Sequence, residues 1–209
     1  FKNLSVVSPK KKFPDKRTLA TAVGAKNIIQ SCKVYQNFED SIKNFNCVIA
    51  TTARVRNKNF KNISVKNLKN IDFSKKVAFI FGQESSGLSN KELSYANHVI
   101  KLPTNPKFES LNLSHSVIIL CYELYKLLND NNDKVSFSKK VKLVKKNDLI
   151  KLTNFLLDSL DKIGFFQPKE KKKSMIENIR SIFFKMNLSE KETRILSSIL
   201  GSLIKKKVN

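Results

Sequence analysis

Two glycines and a carboxylate follow an apolar run in the segment from Val77 to Leu88, where Gly82 and Gly87 lie on either side of Glu84. Glycine lets a backbone approach a ligand closely, and α/β folds bind ligands where the strands of the sheet end. No Gly-Lys-Ser/Thr sequence follows, so this is not the loop that holds phosphates in P-loop proteins. Two interpretations stay open: a ligand-binding loop that contains Glu84, or an ordinary connection from a strand to a helix.

A second polar loop runs from Leu102 to Leu113 and contains two prolines. It brings Ser110 and Asn112 to the start of a long helical pattern. Serine and asparagine are ordinary residues at the start of a helix, because their side chains accept hydrogen bonds from its free amides. The alternative is that these small polar groups line a cofactor pocket.

A third segment, from Thr51 to Arg56, reads TTARVR and follows another apolar run. Arg54 and Arg56 are two of the few arginines in a chain dominated by lysine. A guanidinium group forms paired hydrogen bonds with phosphate that an ammonium group cannot form. This segment is therefore either a phosphate-binding loop or a solvated basic loop.

The elements that would position these loops alternate between strands and helices, which is typical of an α/β fold with a mainly parallel sheet. Apolar runs predict strands at Leu4–Val7, Lys33–Tyr35, Cys47–Thr51, Val77–Phe81 and His98–Lys101. Helical spacing predicts helices at Asp15–Val23, at Phe38–Lys43, after Ser89 and at Asn112–Leu128. All three polar loops then lie at the carboxyl ends of strands or directly before a helix.

The remainder of the chain predicts a polar linker followed by a small helical domain. Residues 129–147 are rich in Asn, Lys and Ser, and residues 148–209 alternate apolar and charged positions at helical spacing. Ser89 with Glu92, and Ser189 with Glu192, have the spacing of capping boxes that start helices. We expect about three helices in the C-terminal part.

The formal charge of +23 favours a nucleic-acid partner, although a lysine-rich solvated surface is the alternative. No apolar run reaches the ~18 residues that span a bilayer, so we expect no membrane insertion. The cysteines, Cys32, Cys47 and Cys121, have no CxxC spacing, which favours reduced thiols in the cytoplasm. His98 and His115 belong to no cluster with the spacing of metal ligands, so we expect no metal site.

Taken in this order, the three loops resemble the TrmH/TrmJ branch of the SPOUT superfamily of RNA 2'-O-ribose methyltransferases. FGQESSGLS is similar to the second motif of that family, and LPTNPKFESLNLSHSVIILCYEL is similar to its third. The TTARVR loop and the NPKFESLNL form of the third motif resemble TrmJ-type enzymes, which methylate cytidine or uridine 32 of tRNA. The resemblance covers the chain from Phe1 to about Leu128, and the C-terminal helices more weakly.

The resemblance implies an α/β domain at residues 1–128 with a mainly parallel sheet and a deep C-terminal trefoil knot, then the linker and a helical RNA-binding extension at 148–209. S-adenosylmethionine would bind in the knot loops, at the interface of a homodimer and without a metal. The residues that match the cofactor contacts of the family are Thr51, Thr52, Ala53, Gly82, Leu102, Glu109, Ser110 and Leu111. Glu109 departs from the small polar residue expected at its position.

A ribose 2'-hydroxyl must lose its proton as its oxygen attacks the methyl group. The family assigns the base to an arginine in an Asn-x-x-x-x-x-Arg segment of the first motif, and the sequence given does not contain that segment. We expect that the chain begins inside the domain, without the first strand and helix; the alternative is a protein that has lost its activity. The catalytic candidates that remain are Ser110, Asn112 and Glu84.

These expectations together predict an enzyme that methylates a ribose 2'-hydroxyl of tRNA, at pyrimidine 32 of the anticodon loop. Arg54 and Arg56 would bind tRNA phosphates beside the reacting ribose. Two alternatives stay open: methylation of ribosomal RNA, which uses the same second and third motifs, and a catalytically inactive RNA-binding SPOUT module.

Overall fold

The computed structural model of the chain describes residues 3–53, 62–129 and 143–207, without the side chains of residues 205–207. Its residues form two compact units, Phe1–Lys43 and Asn44–Asn209. The first unit contains two short parallel strands, β1 (Ser5–Val7) and β2 (Lys33–Tyr35). Its helices are α1 (Lys16–Thr21), α2 (Lys26–Gln30) and α3 (Phe38–Ile42), with a 3-10 turn at Val23–Ala25.

Side-chain caps start two of the helices in the first unit. The Asp15 carboxylate accepts a hydrogen bond from the Thr18 amide at 2.7 Å, and Asn37 accepts one from the Asp40 amide at 2.8 Å. Each cap satisfies a backbone donor that has no partner inside its helix. The predicted helix at 15–23 is therefore right at its start. It is wrong at its end, because Val23 adopts a positive φ of 42° and the chain continues through the 3-10 turn into α2.

The second unit is built on a four-stranded parallel sheet. Its strands are β3 (Cys47–Thr51), β4 (Asn62–Ile63), β5 (Val77–Ile80) and β6 (His98–Ile100), in the order β4-β6-β3-β5. The central strand β3 is apolar and buried on both faces, as parallel sheets covered on both sides require. Because all four strands are parallel, their carboxyl ends meet at one edge of the sheet. The predicted α/β fold with a parallel sheet is confirmed.

Helices α4 (Asn90–Leu93) and α5 (Leu113–Asn129) follow β5 and β6. Ser89 and Glu92 form the predicted capping box of α4: Ser89 accepts from the Glu92 amide at 3.2 Å, and Glu92 accepts from the Ser89 amide at 2.7 Å. Helix α5 buries Leu120 and Leu124 against the apolar core beneath the sheet. This core holds the long helix that directly follows the second polar loop.

The C-terminal part consists of α6 (Lys146–Lys162), α7 (Lys172–Lys185) and α8 (Glu190–Lys207), with a 3-10 turn at Lys169–Lys171. Helix α6 packs against both α7 and α8. The Asn97 side chain joins the sheet to α7: it accepts from the Val48 amide at 2.8 Å and donates to the Phe184 carbonyl at 3.1 Å. These helices therefore belong to the same compact unit as the sheet, and the predicted boundary of a separate helical domain stays a prediction.

No helix in the described part of the chain is both long and apolar enough to cross a membrane.

Candidate functional site

A pocket of about 140 Å³ lies at the carboxyl edge of the four-stranded sheet. The loops that follow β3, β5 and β6 form its walls, which are the three segments that the sequence singled out. Every residue matched to a cofactor contact lines this pocket: Thr51, Thr52, Ala53, Gly82, Leu102, Glu109, Ser110 and Leu111. The fold thus gathers into one place residues that are up to 60 positions apart in sequence.

Gly82 allows the loop after β5 to fold back closely on itself. A Cβ atom at Gly82 would overlap the backbone carbonyl carbon of Gly87 and the backbone nitrogen of Leu88. Gly87 in turn has a φ of +69°, which favours glycine, and its amide donates to the Gln83 carbonyl at 2.7 Å. The sequence predicts that Gly82 makes room for a ligand, whereas in the structure it makes room for the backbone of its own loop.

Glu84 and Asn112 connect the loop after β5 to the loop before α5. The Asn112 side-chain amide donates a hydrogen bond to Oε1 of Glu84 at 2.7 Å. The Asn112 oxygen also accepts from the Ser114 amide at 2.8 Å, as a residue that caps α5 would. Asn112 therefore has two roles: it caps α5, and it joins two walls of the pocket.

Glu109 has a partner that the sequence analysis did not find. Its Oε1 lies 2.7 Å from Nζ of Lys101, the residue that follows β6, and its backbone oxygen accepts a hydrogen bond from the Thr104 hydroxyl at 3.2 Å. These two contacts fix the proline-containing loop between Lys101 and Ser110. The carboxylate that departs from the family pattern therefore holds the loop closed on the end of the strand.

A model of the SpoU rRNA methylase family matches residues 1–122, more than half of the chain. The chain belongs to the SpoU rRNA methylase family. It is 33% identical to a tRNA (cytidine-2'-O-)-methyltransferase TrmJ of Sulfolobus acidocaldarius, over 89% of this chain and 77% of the relative. It is 29% identical to an uncharacterized tRNA/rRNA methyltransferase of Haemophilus influenzae, over 97% of this chain and 83% of the relative. The resemblance inferred from the motifs is confirmed.

The fold of this SpoU family member also matches a solved structure. The crystal structure of TrmJ from Z. mobilis ZM4 superposes with a TM-score of 0.84 at 24% identity, covering 97% of this chain and 87% of that chain. At this identity the likeness concerns the fold alone. It extends over the C-terminal helices as well as the sheet.

In this SpoU family member the first pocket loop is held by backbone and hydroxyl contacts. The Thr51 hydroxyl donates to the Ile80 carbonyl at 3.0 Å, and the Thr52 amide donates to the Ile100 carbonyl at 3.0 Å. These bonds join the carboxyl ends of β3, β5 and β6. Ala53 is the last described residue of the loop, so Arg54 and Arg56 lie outside the described residues.

Other residues line the same pocket and were not predicted as contacts: Phe81, Gln83, Ser85, Ser86, Gly87, Leu88, Ile100, Thr104, Leu113 and Ser116. All of them except Ile100 lie inside the two motifs that the sequence analysis compares with the family, so membership of a motif was the available signal. Glu84 and Ser110 line the pocket, whereas Asn112 reaches it through Glu84. In the described ranges, no three His, Cys, Asp or Glu side chains form a group that could hold a metal.

Proposed function

We propose that this SpoU family member methylates a ribose 2'-hydroxyl of tRNA with S-adenosylmethionine as the methyl donor. The observation that carries the proposal is the convergence of three strand-end loops on one pocket, with the two motif loops joined by the bond between Glu84 and Asn112. The similarity to tRNA 2'-O-methyltransferases over most of the chain supports the choice of reaction and of RNA class.

The pocket offers the two kinds of surface that an adenosyl amino acid requires. Leu102 and Leu111 supply apolar walls for a purine, and the hydroxyl groups of Thr52 and Ser110 suit the ribose and the amino-acid end. S-adenosylmethionine, when bound, supplies a methyl group on a positively charged sulfur, so no metal is needed to activate it.

The protein's task in this reaction is alignment and removal of one proton. Ser110 lies on the exposed wall of the pocket and is the candidate for contact with the reacting ribose. Glu84 and Asn112 position the two motif loops relative to each other, since their hydrogen bond joins them. Alignment of this kind converts an encounter of two molecules into a step within one complex, which accounts for a large part of a rate enhancement.

We further propose that tRNA binds beside the pocket through Arg54 and Arg56, directly after the pocket residue Ala53. Pyrimidine 32 of the anticodon loop is the proposed acceptor, and the cytoplasm is the proposed location because that is where tRNA is. The helical part at 148–209 would enlarge the basic RNA-binding surface. The formal charge of +23 supports binding to a polyanion.

A homodimer with a knotted methyltransferase domain completes the proposal. The pocket volume of about 140 Å³ is small beside the roughly 300–1,000 Å³ of typical ligand sites, so a second copy would supply further walls. Helix α5 offers a surface for that copy, because Ile118, Tyr122 and Tyr125 are each at least 60% exposed. An apolar face of this kind on a helix beside a pocket is typical of an interface between proteins.

The proposed function is tested by methyl transfer to a tRNA in which one ribose lacks the 2'-hydroxyl that would accept the methyl group. The full chain is incubated with radiolabelled S-adenosylmethionine, EDTA and a tRNA that carries 2'-deoxyribose at position 32. We expect label on unmodified tRNA and on a control tRNA with 2'-deoxyribose at position 34. We expect no label on the tRNA with 2'-deoxyribose at position 32. Label on ribosomal RNA alone, or no binding of the cofactor by calorimetry, would contradict the proposal.

A further inference from the structure

The turn between α6 and α7 carries an exposed aromatic residue in a lysine-rich segment. Phe165 is 47% exposed, whereas its neighbour Phe166 is 4% exposed. We propose that Phe165, with four exposed lysines that lie within eight residues of it in sequence, forms a surface on which an unpaired RNA base stacks. This surface, called the Phe165 surface below, consists of Lys162, Phe165, Lys169, Lys171 and Lys173. The inference rests on the proposed function, because it requires that the protein binds RNA.

Backbone hydrogen bonds hold Phe165 in one place. The Gly164 amide donates to the Asp161 carbonyl and the Phe165 amide to the Leu160 carbonyl, both at 3.0 Å. With Gly164 at a φ of +71°, this is the Schellman arrangement that ends helices. The Phe165 carbonyl then accepts from the Gln167 amide at 3.0 Å. A backbone fixed in this way loses little conformational freedom on binding, which favours affinity.

The ring of Phe165 is not needed to fill the interior beneath the turn. Phe166 fills it instead, with the Phe165 ring at its edge, 5.5 Å between centroids and 82° between planes. In a Schellman turn the apolar residue after the glycine usually packs back on the last turn of its helix. Here nearly half of that residue remains exposed to solvent. An exposed ring on a rigid turn is what base stacking requires.

The charge around the ring suits a phosphate backbone. Lys162, Lys169, Lys171 and Lys173 are exposed. Two acidic residues lie in the same segment. Asp161 is paired, because one of its oxygens lies 2.6 Å from Nζ of Lys172, and Glu170 is exposed between Lys169 and Lys171, so the lysines remain in excess. Exposed lysines in the same segment as an exposed ring suit a single-stranded RNA, since phosphates bind to the cations while a base covers the ring. A membrane-binding helix would instead need a broad apolar face.

A tryptophan reporter tests base stacking directly. The chain contains no tryptophan, so Phe165→Trp creates the only one. Phe155→Trp is the matched control, because Phe155 lies on α6 and is exposed to 45%. We expect added tRNA to quench the fluorescence of the Trp at position 165 to a saturating level, and to leave that of the Trp at position 155 nearly unchanged.

Affinity measurements with two RNAs provide the second test. Phe165→Ala should weaken binding of tRNA by about tenfold, the usual contribution of one stacked base. Phe165→Leu should weaken it similarly, because leucine keeps the apolar bulk but offers no ring. Phe155→Ala should change it less than about twofold. A fully paired RNA duplex, which offers no unpaired base, should bind all variants equally. Circular dichroism checks that each variant keeps its helices.

The outcomes separate the inference from the proposed function. If the wild-type chain binds no tRNA, both fail. If it binds tRNA and both Phe165 variants bind as tightly as Phe155→Ala, the Phe165 surface alone is wrong. An equal loss of affinity for tRNA and for the duplex would mean contact with the backbone and overturn stacking. Quenching of Phe165→Trp by anionic phospholipid vesicles but not by tRNA would assign the surface to a membrane and overturn the inference.

Discussion

The two ends of strand β3 use polar side chains in opposite ways. At its carboxyl end, Glu84 with Asn112 and Lys101 with Glu109 are paired across the pocket loops and remain partly exposed. At its amino end, Lys146 is fully buried, and its Nζ makes no hydrogen bond to any described residue. The Nζ lies 4.7 Å from the centre of the Phe184 ring, and Cys47 is the nearby thiol.

The paired groups at the carboxyl end of β3 position the pocket loops, whereas the buried lysine at its amino end affects the stability of the fold. Paired, partly exposed groups contribute little free energy but fix the geometry of loops. A buried amine without a hydrogen-bond partner lowers the stability of the fold, because the contact with the Phe184 ring replaces only part of the hydration that its charged form loses. We therefore expect changes at the pocket end to alter binding and changes at the amino end to alter the free energy of unfolding. Gly82 is the exception, since its backbone contact serves both.

Gly82→Ala is expected to have the largest effect. The Cβ atom added at position 82 would overlap the backbone of Gly87 and Leu88, so the backbone of this loop must shift. We expect the free energy of unfolding to fall by about 3 kcal/mol or more and cofactor binding to be lost. Gly201→Ala is the control, because nothing lies within 4 Å of a Cβ there and alanine favours the helix. Chemical denaturation measures the loss of stability, and calorimetry measures cofactor binding. Normal cofactor binding by Gly82→Ala would show that the close contact between Gly82 and the Gly87–Leu88 backbone is not required.

Lys146→Met is expected to have the next largest effect, and in the opposite direction. Burial lowers the pKa of Lys146 to about 7 from 10.5, so folding at pH 7 removes the proton from about half of the molecules and buries a charged amine in the rest, and both cost free energy. Methionine removes that cost, and we expect a gain of about 2 kcal/mol in the free energy of unfolding at pH 7. Lys145→Met, at the exposed neighbouring position, should change stability by less than about 0.5 kcal/mol.

The same lysine predicts how stability depends on pH. Between pH 7 and 10.5 the unfolded chain binds the proton at Lys146 and the folded chain does not, so stability increases with pH from 7 upward. Burial raises the pKa of the Cys47 thiol from 9.0 to about 11, so ionisation of the unfolded thiol opposes this increase above pH 9. Burial also lowers the pKa of Lys185, which adds a slope of the same sign, so the contribution of Lys146 is the difference in slope between wild type and Lys146→Met from pH 7 to 9. An equal slope in the two proteins would assign the dependence to another group.

The sequence predicts the pocket well because its signals are local. Each strand that leads to the pocket is an apolar run that ends at a glycine, a proline or a cluster of hydroxyl residues, and β2 and β3 have the predicted bounds. Strand β4 was missed because two residues cannot show alternation. Helix α2 was missed because its five residues are too few to repeat the spacing of its apolar pair, Ile28 and Ile29.

Contacts between distant residues could not be predicted. Glu84 and Asn112 are 28 positions apart, and nothing local indicates that they bond. Burial of a lysine is also hidden in a chain with 40 lysines and arginines, where each one resembles a surface charge. Lys146 is buried because it is the first residue of α6, which begins against the amino end of β3. The Lys146 backbone amide donates to the Phe45 carbonyl there, at 2.9 Å. That depends on packing, which spacing does not encode.

Asn112→Asp is expected to reduce cofactor affinity about tenfold while changing stability by less than about 1 kcal/mol. Aspartate keeps the oxygen that caps α5, but it loses the amide that donates to Glu84 and places two carboxylates together. Glu84→Gln is the matched control, because its side-chain oxygen can still accept the hydrogen bond. Calorimetry and denaturation measured side by side decide the case; equal affinity in wild type and Asn112→Asp would show that the bond does not position the loops.

Exchange of the charges at Lys101 and Glu109 is expected to have the smallest effect and gives the sharpest test of positioning. The pair is 2.7 Å apart but its side chains are 35% and 49% exposed, so its contribution to stability is at most about 1 kcal/mol. Lys101→Glu and Glu109→Lys should each weaken cofactor binding about threefold, because like charges would push the loop from the end of β6. The double variant should recover affinity, since the attraction is restored with its sign exchanged. Recovery should shrink at high salt, which screens exposed pairs.

If the two single effects simply add in the double variant, the ion pair does not hold the loop. The hydrogen bond from the Thr104 hydroxyl to the Glu109 backbone oxygen would then be the contact that holds it.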